Sequence, residues 1–219
     1  MENPLRPSVS DLSVPDGLEI IETLGWHPDE GMRHAALHIA RMDRTAAALG
    51  FRFDPAIAAT LLAGVASLMP LRCRMTLTKG GLTLTTATQP PNPPVWRVGV
   101  ASERLSSADP WLRHKTSNRA IYTDARANLP AGLDELIFLN ERDEVCEGTI
   151  TSLFATLSDG TRVTPPLTSG LLPGILRQTL LTRGYVEQVL TLADLQQARA
   201  VHLGNALRGL IPAEIVGLT

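Results

Sequence analysis

The alternation of apolar and polar positions divides the chain into strand-like and helix-like runs. Leu18-Glu-Ile-Ile-Glu-Thr-Leu-Gly-Trp26 reads as a strand, closed by the turn-forming His27-Pro-Asp-Glu-Gly31. From about Met32 to Leu49, the residues Ala35, Ile39, Met42, Ala46 and Leu49 recur at helical spacing, and Gly50 is placed to stop the helix. A second helix starts where Asp54 can cap and Pro55 can occupy the first turn, and runs through Ala56 to Met69 until Pro70. A hairpin follows. Arg72 to Thr78 and Leu82 to Thr88 are joined by Lys79-Gly80-Gly81, where glycine supplies the positive φ of a tight turn.

Gln89-Pro-Pro-Asn-Pro-Pro94 must be extended and exposed, before a strand from Val95 to Ala101. The polar stretch Ser102 to Pro110 predicts a domain boundary, giving an N-terminal domain of residues 1–103 and a C-terminal domain of residues 104–219. The second half alternates β-like runs (Glu135 to Asn140, Val145 to Leu157, Tyr185 to Thr191, Ala200 to Leu203) with helical ones (Asn118 to Ala127, Ile175 to Arg183, Leu192 to Ala198). That mixture predicts an α+β or α/β architecture.

Composition narrows the function classes. With 44% hydrophobic and 19% charged positions, 219 residues can bury a real core. Twenty basic and 22 acidic residues are dispersed, with formal net charge -2, so no basic stripe offers itself to nucleic acid. Cys73 and Cys146 lack metal-ligand spacing and read as buried small apolar residues, and no metal is expected. Met1 to Ser13 has no apolar leader core. The longest apolar stretch, Ala56 to Met69, is broken by Thr60, Gly64 and Ser67. The expectation is no signal peptide, no membrane span and a cytoplasmic location.

Among residues able to carry chemistry, Lys115 sits in Arg113-His-Lys-Thr-Ser-Asn-Arg119. Like charges disfavour its ammonium form and favour the free amine that Schiff-base chemistry needs, though the same segment also fits a basic surface turn opening a helix. On the first helix, Arg44 points away from the apolar stripe while Arg41 lies on its shoulder, where its side chain can bend into a cleft. His38, near the buried face, reads as a packed core histidine rather than a catalyst.

Four ordered blocks carry a resemblance. Glu147-Gly-Thr149, then Phe154, then Gly170-Leu-Leu-Pro-Gly-Ile-Leu-Arg177 is similar to the signature of class IV aminotransferases, the fold type IV group of pyridoxal-phosphate enzymes. His114-Lys-Thr-x-x-Arg119, Leu37-His-Ile-Ala-Arg-Met42 and Gly204-Asn-Ala-Leu-Arg-Gly-Leu210 extend it over about residues 18–213. The resemblance implies a two-domain α+β fold, with a small N-terminal α/β domain and a larger C-terminal domain whose barrel-like sheet is flanked by helices. It implies pyridoxal 5′-phosphate as cofactor and Lys115 as Schiff-base lysine and proton acceptor. Glu147 would be the carboxylate that keeps the ring nitrogen protonated. It assigns the phosphate to Arg41, to a cup of Gly174, Ile175 and Leu176 at a helix N-terminus, and to a second loop with Asn205 and Ala206. A small-molecule amine substrate and a homodimer are implied as well.

Within the family, Ile20 to Gly31 followed by His38 to Phe51 looks most like the 4-amino-4-deoxychorismate lyases, including domains fused to some aminodeoxychorismate synthases, which suggests a functional link to such a synthase. Thr23 falls where those lyases carry a threonine associated with proton transfer. It is equally readable as an ordinary strand threonine. The alternatives are a branched-chain or D-amino acid aminotransferase and a non-catalytic pyridoxal-phosphate-binding partner protein. The chain departs from the family pattern at Ser152, where asparagine is usual, and at Leu176, where threonine is frequent. No arginine near Lys79-Gly80-Gly81 clearly matches the one that grips substrate carboxylate in several relatives.

Overall fold

The computed structural model describes residues 13–217, so the Met1 to Ser13 segment read above lies, up to residue 12, outside the described residues. Two compact units result: one runs to Pro90 and takes back His114–Asn118, and the other comprises Pro91–Arg113 and the chain from Arg119 onward.

The first unit contains β1 (Ile20–His27), β2 (Gly31–Met32), α1 (Ala35–Leu49), α2 (Pro55–Ala63), β3 (Leu71–Thr78) and β4 (Gly81–Thr88). Its antiparallel sheet has the order β2-β1-β3-β4. Side chains alternate between the faces of a strand, so the cross-strand pairs Ile20↔Leu77, Glu22↔Met75 and Leu24↔Cys73 share one face, and all six residues are buried. The pair Thr23↔Arg74 lies on the other face. Helix α1 packs on β1 and on α2, and it ends at Gly50, whose φ of 72° lets its N–H return to Ala46 O. Its buried residues are His38, Arg41, Met42, Thr45, Ala46 and Leu49, whereas Ala35 and Ile39 are half-buried. Met42, Ala46 and Leu49 of the expected stripe are thus buried, and His38 and Arg41 join them because a carboxylate on β1 faces the helix. Asp54 caps α2 by accepting from Ala56 N at 2.8 Å. This helix stops at Ala63 rather than Met69: Gly64 follows, and exposed Leu68 and Met69 offer no burial to hold further turns.

The second unit contains β5 (Trp96–Leu105), a 3₁₀ turn at Pro110–Arg113, α3 (Ala120–Ala127), β6 (Glu135–Asn140), β7 (Val145–Gly148), β8 (Ser152–Thr156) and β9 (Arg162–Thr164). After a second 3₁₀ turn at Leu167–Ser169 come α4 (Ile175–Leu181), β10 (Val186–Glu187), α5 (Leu192–Gln197), β11 (Ala200–Asn205) and β12 (Gly209–Ile215). The sheet order is β10-β9-β8-β11-β12-β5-β6-β7, and β7 pairs with β8 through Glu147↔Ser152. That pairing closes β8-β11-β12-β5-β6-β7 into a barrel-like ring with β9 and β10 as a branch. Strand β6 is buried on both faces. Ile137 and Leu139 join one apolar cluster with Val98, Leu153 and Leu203, while Leu136 and Phe138 join another with Leu105, Tyr122 and Cys146.

Several expectations change here. The 103/104 boundary falls inside β5, which continues past Ala101 to pair Arg104 with Leu139 and Leu105 with Asn140 after a bulge. The chain leaves the first unit within the Pro-rich segment instead. The run from Val145 to Leu157 is two strands separated by a turn, only Val186–Glu187 of Tyr185 to Thr191 is strand, and β9 and β12 were not anticipated. Cys73 and Cys146 are buried free thiols, as the sequence suggests. Among the described residues no helix is long and apolar enough to cross a membrane.

Candidate active site

In the first unit Lys115 lies on a short extended segment laid against β1. Ile21 N donates to Lys115 O at 2.8 Å and Ser117 N donates to Glu19 O at 2.9 Å, around an antiparallel bridge between Ile20 and Thr116. This register sets Lys115 opposite Ile21, and alternation along β1 puts Thr23 on that same face of the sheet. His114 contacts Thr45 Oγ1 at 3.4 Å, and burial holds its pKa below the usual histidine range. It is therefore neutral at pH 7 and does not supply the like charge beside Lys115 that the sequence reading invoked. In the second unit Arg113 donates to Leu171 O at 2.7 Å and Arg119 donates to Thr149 O.

Arg41 turns inward from α1. It is 4% exposed and makes a two-point contact with Glu22, Nε to Oε1 at 2.7 Å and Nη2 to Oε2 at 2.7 Å. His38 Nδ1 is 2.6 Å from the same carboxylate. A carboxylate only accepts, so Nδ1 carries the hydrogen and Nε2 the lone pair. Nε2 is buried without a hydrogen-bond partner. Burial alone would raise the Glu22 pKa, but Arg41 and His38 overcome it and hold the carboxyl at about 2. Burial pushes the His38 pKa down, and the charges of Arg41 and Lys115 add to this against the opposing pull of Glu22. The sequence reading of His38 as a packed histidine agrees with its burial. Glu22 was not singled out, although an acidic residue inside an apolar strand is a signal for a buried partner.

In the second unit Glu147 is 7% exposed on β7, and Tyr122 OH donates to its Oε1 at 2.7 Å. The turn after it is organised by Glu135, which is fully buried at the start of β6. The Glu135 carboxylate accepts from Thr149 N at 3.1 Å, Ile150 N at 3.3 Å, Thr151 Oγ1 at 3.2 Å and also from Thr149 Oγ1. Arg126 reaches Thr149 Oγ1 at 3.1 Å. Tyr122 and Glu135 both escaped the sequence reading, because the partner of Tyr122 lies on a strand 25 residues away and those of Glu135 lie in a turn that has no periodic signature.

The other expected phosphate-binding groups, the cup and the second loop, lie in the second unit. Gly174 precedes α4, whose N-terminus has no side-chain cap, and Ile175 and Leu176 open the helix with N–H groups that have no intrahelical acceptor. A Cβ on Gly174 would stand 2.6 Å from Ser152 Oγ, so Ser152 packs where only glycine fits. A Cβ on Gly204 would collide with the Gly209 carbonyl oxygen and with Leu176. Asn205 shapes the β11–β12 turn: Oδ1 accepts from Leu207 N at 3.1 Å and Arg208 N at 3.0 Å, and Nδ2 donates to Ile150 O at 3.1 Å. Buried Ala206 sits inside that turn. Each unit by itself carries groups whose chemistry suits a phosphorylated pyridine aldehyde: a primary amine at Lys115 and a guanidinium at Arg41 in the first, a buried carboxylate at Glu147 and an uncapped helix end at Ile175 in the second. Among the described residues no group of three or more His, Cys, Asp or Glu could hold a metal ion.

A family model for class IV amino-transferases matches residues 19–216. Among solved structures, a candidate amino-acid aminotransferase from Mesorhizobium loti is 42% identical, with a TM-score of 0.83 over 91% of this chain and 100% of that one. A 4-amino-4-deoxychorismate lyase from Pseudomonas aeruginosa is 25% identical at a TM-score of 0.75, over 90% of this chain and 82% of that one. A branched-chain aminotransferase with norvaline from Thermoproteus uzoniensis, 22% identical at a TM-score of 0.75 over 92% and 79% of the two chains, shares the fold. Comparison with curated proteins gives no match.

Proposed function

This chain belongs to the class IV amino-transferase family, and within it we propose a 4-amino-4-deoxychorismate lyase that forms 4-aminobenzoate and pyruvate. Enzymes of this family depend on pyridoxal phosphate. When bound, that cofactor supplies a protonated ring that delocalises the electron pair left by proton removal. Arg41, the first N–H groups of α4 at Ile175 and Leu176, and the turn of Asn205 and Ala206 are the groups we assign to its phosphate. Glu147 is assigned to its ring nitrogen. The Lys115 amine takes the proton from the substrate carbon that bears nitrogen. The neighbouring carbon–oxygen bond then breaks, the departing enolpyruvate takes up a proton to become pyruvate, and the ring becomes aromatic.

The observation that carries the lyase reading is the register that sets Thr23 on the face of β1 shared with Lys115. A hydroxyl there can return a proton to the leaving enolpyruvate, a step that transamination lacks. The Mesorhizobium loti likeness favours a second reading, an amino-acid transaminase. One assay separates them: pyridoxal phosphate is added to the protein, and aminodeoxychorismate is generated from chorismate by a synthase. Fluorescent 4-aminobenzoate together with equimolar pyruvate supports the lyase. A visible absorbance that shifts with single amino acids, without 4-aminobenzoate, supports the transaminase. We also propose a homodimer, expected in sedimentation at twice the 23.6 kDa chain mass.

A further inference from the structure

Helix α3 and the Arg119 before it turn one face toward the end of β7. Arg119 donates to Thr149 O, Arg126 donates to Thr149 Oγ1, and between them Tyr122 reaches Glu147. The spacing of three and four residues is that of a single helical face. The Tyr122 ring is fixed on both sides, edge-on to Phe138 with centroids 5.1 Å apart and under the Arg119 guanidinium at 5.1 Å.

We propose that Tyr122 is the positioning residue for Glu147, its hydroxyl fixing the carboxylate in the orientation in which it meets the ring nitrogen of the cofactor; this rests on the pyridoxal-phosphate reading above. A buried carboxylate needs donors, and a phenol satisfies one oxygen without adding the positive charge that an arginine brings. Glu147 therefore gains order from Tyr122. Burial and the Glu147 charge push the Tyr122 pKa up, so the hydroxyl remains a donor throughout the working range. A tyrosine present only for packing would keep the ring contacts with Phe138 and Arg119 and would not need this acceptor.

The test compares holoprotein carrying Tyr122→Phe, Glu147→Gln and both. Tyr122→Phe keeps the ring, so its melting temperature is expected near that of the parent. Its dissociation constant for pyridoxal phosphate is expected to rise about tenfold and kcat to fall about tenfold with KM within about twofold, the scale of one hydrogen bond to a charged group. In the Glu147→Gln background the same change is expected to alter neither quantity further. Equal losses in both backgrounds, or no change beyond about twofold in either quantity, overturn the positioning role. Should Tyr122→Phe fail to fold, Glu147→Asp, which withdraws the carboxylate by one methylene, is read by the same two quantities. The cofactor reading fails differently: parent protein then gains no visible absorbance with pyridoxal phosphate, and Lys115→Ala changes nothing.

Discussion

Glu22 in the first unit and Glu135 in the second are both sealed from solvent, yet they are satisfied by opposite means. Glu22 meets a guanidinium and an imidazole, long side chains from another element. Glu135 meets mostly the N–H and hydroxyl groups of one turn, Thr149 to Thr151, with the Arg126 guanidinium more distant at 3.5 Å. The first arrangement balances charge and ties a helix to a strand. The second uses charge to shape backbone. Removing one partner of a buried ion pair leaves an uncompensated charge, whereas removing a turn organiser loosens a loop, so the two carboxylates should fail differently.

The largest expected effect tests the ion pair. Glu22→Gln should cost about 3–5 kcal/mol in urea unfolding, because the buried Arg41 charge loses the carboxylate that balances it. Adding Arg41→Met should recover much of the loss. A double variant as weak as the single one would mean that the cost is packing and not charge.

Acid should reveal the same pair. The Glu22 carboxyl is held at about 2 against an ordinary 4.5, so its contribution is fully present above about 4.5 and is lost as pH falls toward 2, by about 3 kcal/mol in all. His38 adds a step at higher pH. Its pKa is lowered in the fold, so below its ordinary 6.5 the unfolded chain binds a proton that the folded chain resists, and stability falls. Urea midpoints at pH 7.5 and 5.5 should differ less in His38→Asn than in the parent, and an unchanged difference would remove His38 from the account.

The turn predicts a smaller, local effect. Glu135→Gln should cost about 1.5–3 kcal/mol and speed amide exchange at Thr149 and Ile150, while leaving exchange in α1 unchanged. Thr149→Val, which deletes one hydroxyl from this arrangement, should cost about 1 kcal/mol. If exchange in α1 rises with either variant, the contrast between a helix tie and a turn organiser does not hold.

This contrast also explains what the sequence made legible. Strand β6 was read from end to end, because both of its faces are buried in apolar clusters and its run Leu136 to Leu139 has no polar break. The β3–β4 hairpin was read from Lys79-Gly80-Gly81 for a local reason, its turn chemistry. On α1 the element, its stop at Gly50 and the burial of Met42, Ala46, Leu49 and His38 were legible, but the carboxylate that His38 and Arg41 meet, 16 and 19 residues away, was not. The break between β7 and β8 was hidden because Glu135, 14 residues before Thr149, makes it. Lys115, Glu147 and Gly174 were singled out through motifs with fixed spacing. Glu22 and Tyr122 meet motif residues, His38 and Arg41 in one case and Glu147 in the other, from positions that only folding brings together.

Strand β12 closes the ring between β11 and β5, and it is the last strand of that ring in chain order. On the ribosome, a nascent chain that has not yet exposed Ile215 must therefore hold β5 with one edge unpaired, although its partner β6 is already outside. An open edge is a template for a neighbouring chain, so slow translation or truncation within residues 209–215 would turn a folding intermediate into a seed for aggregation.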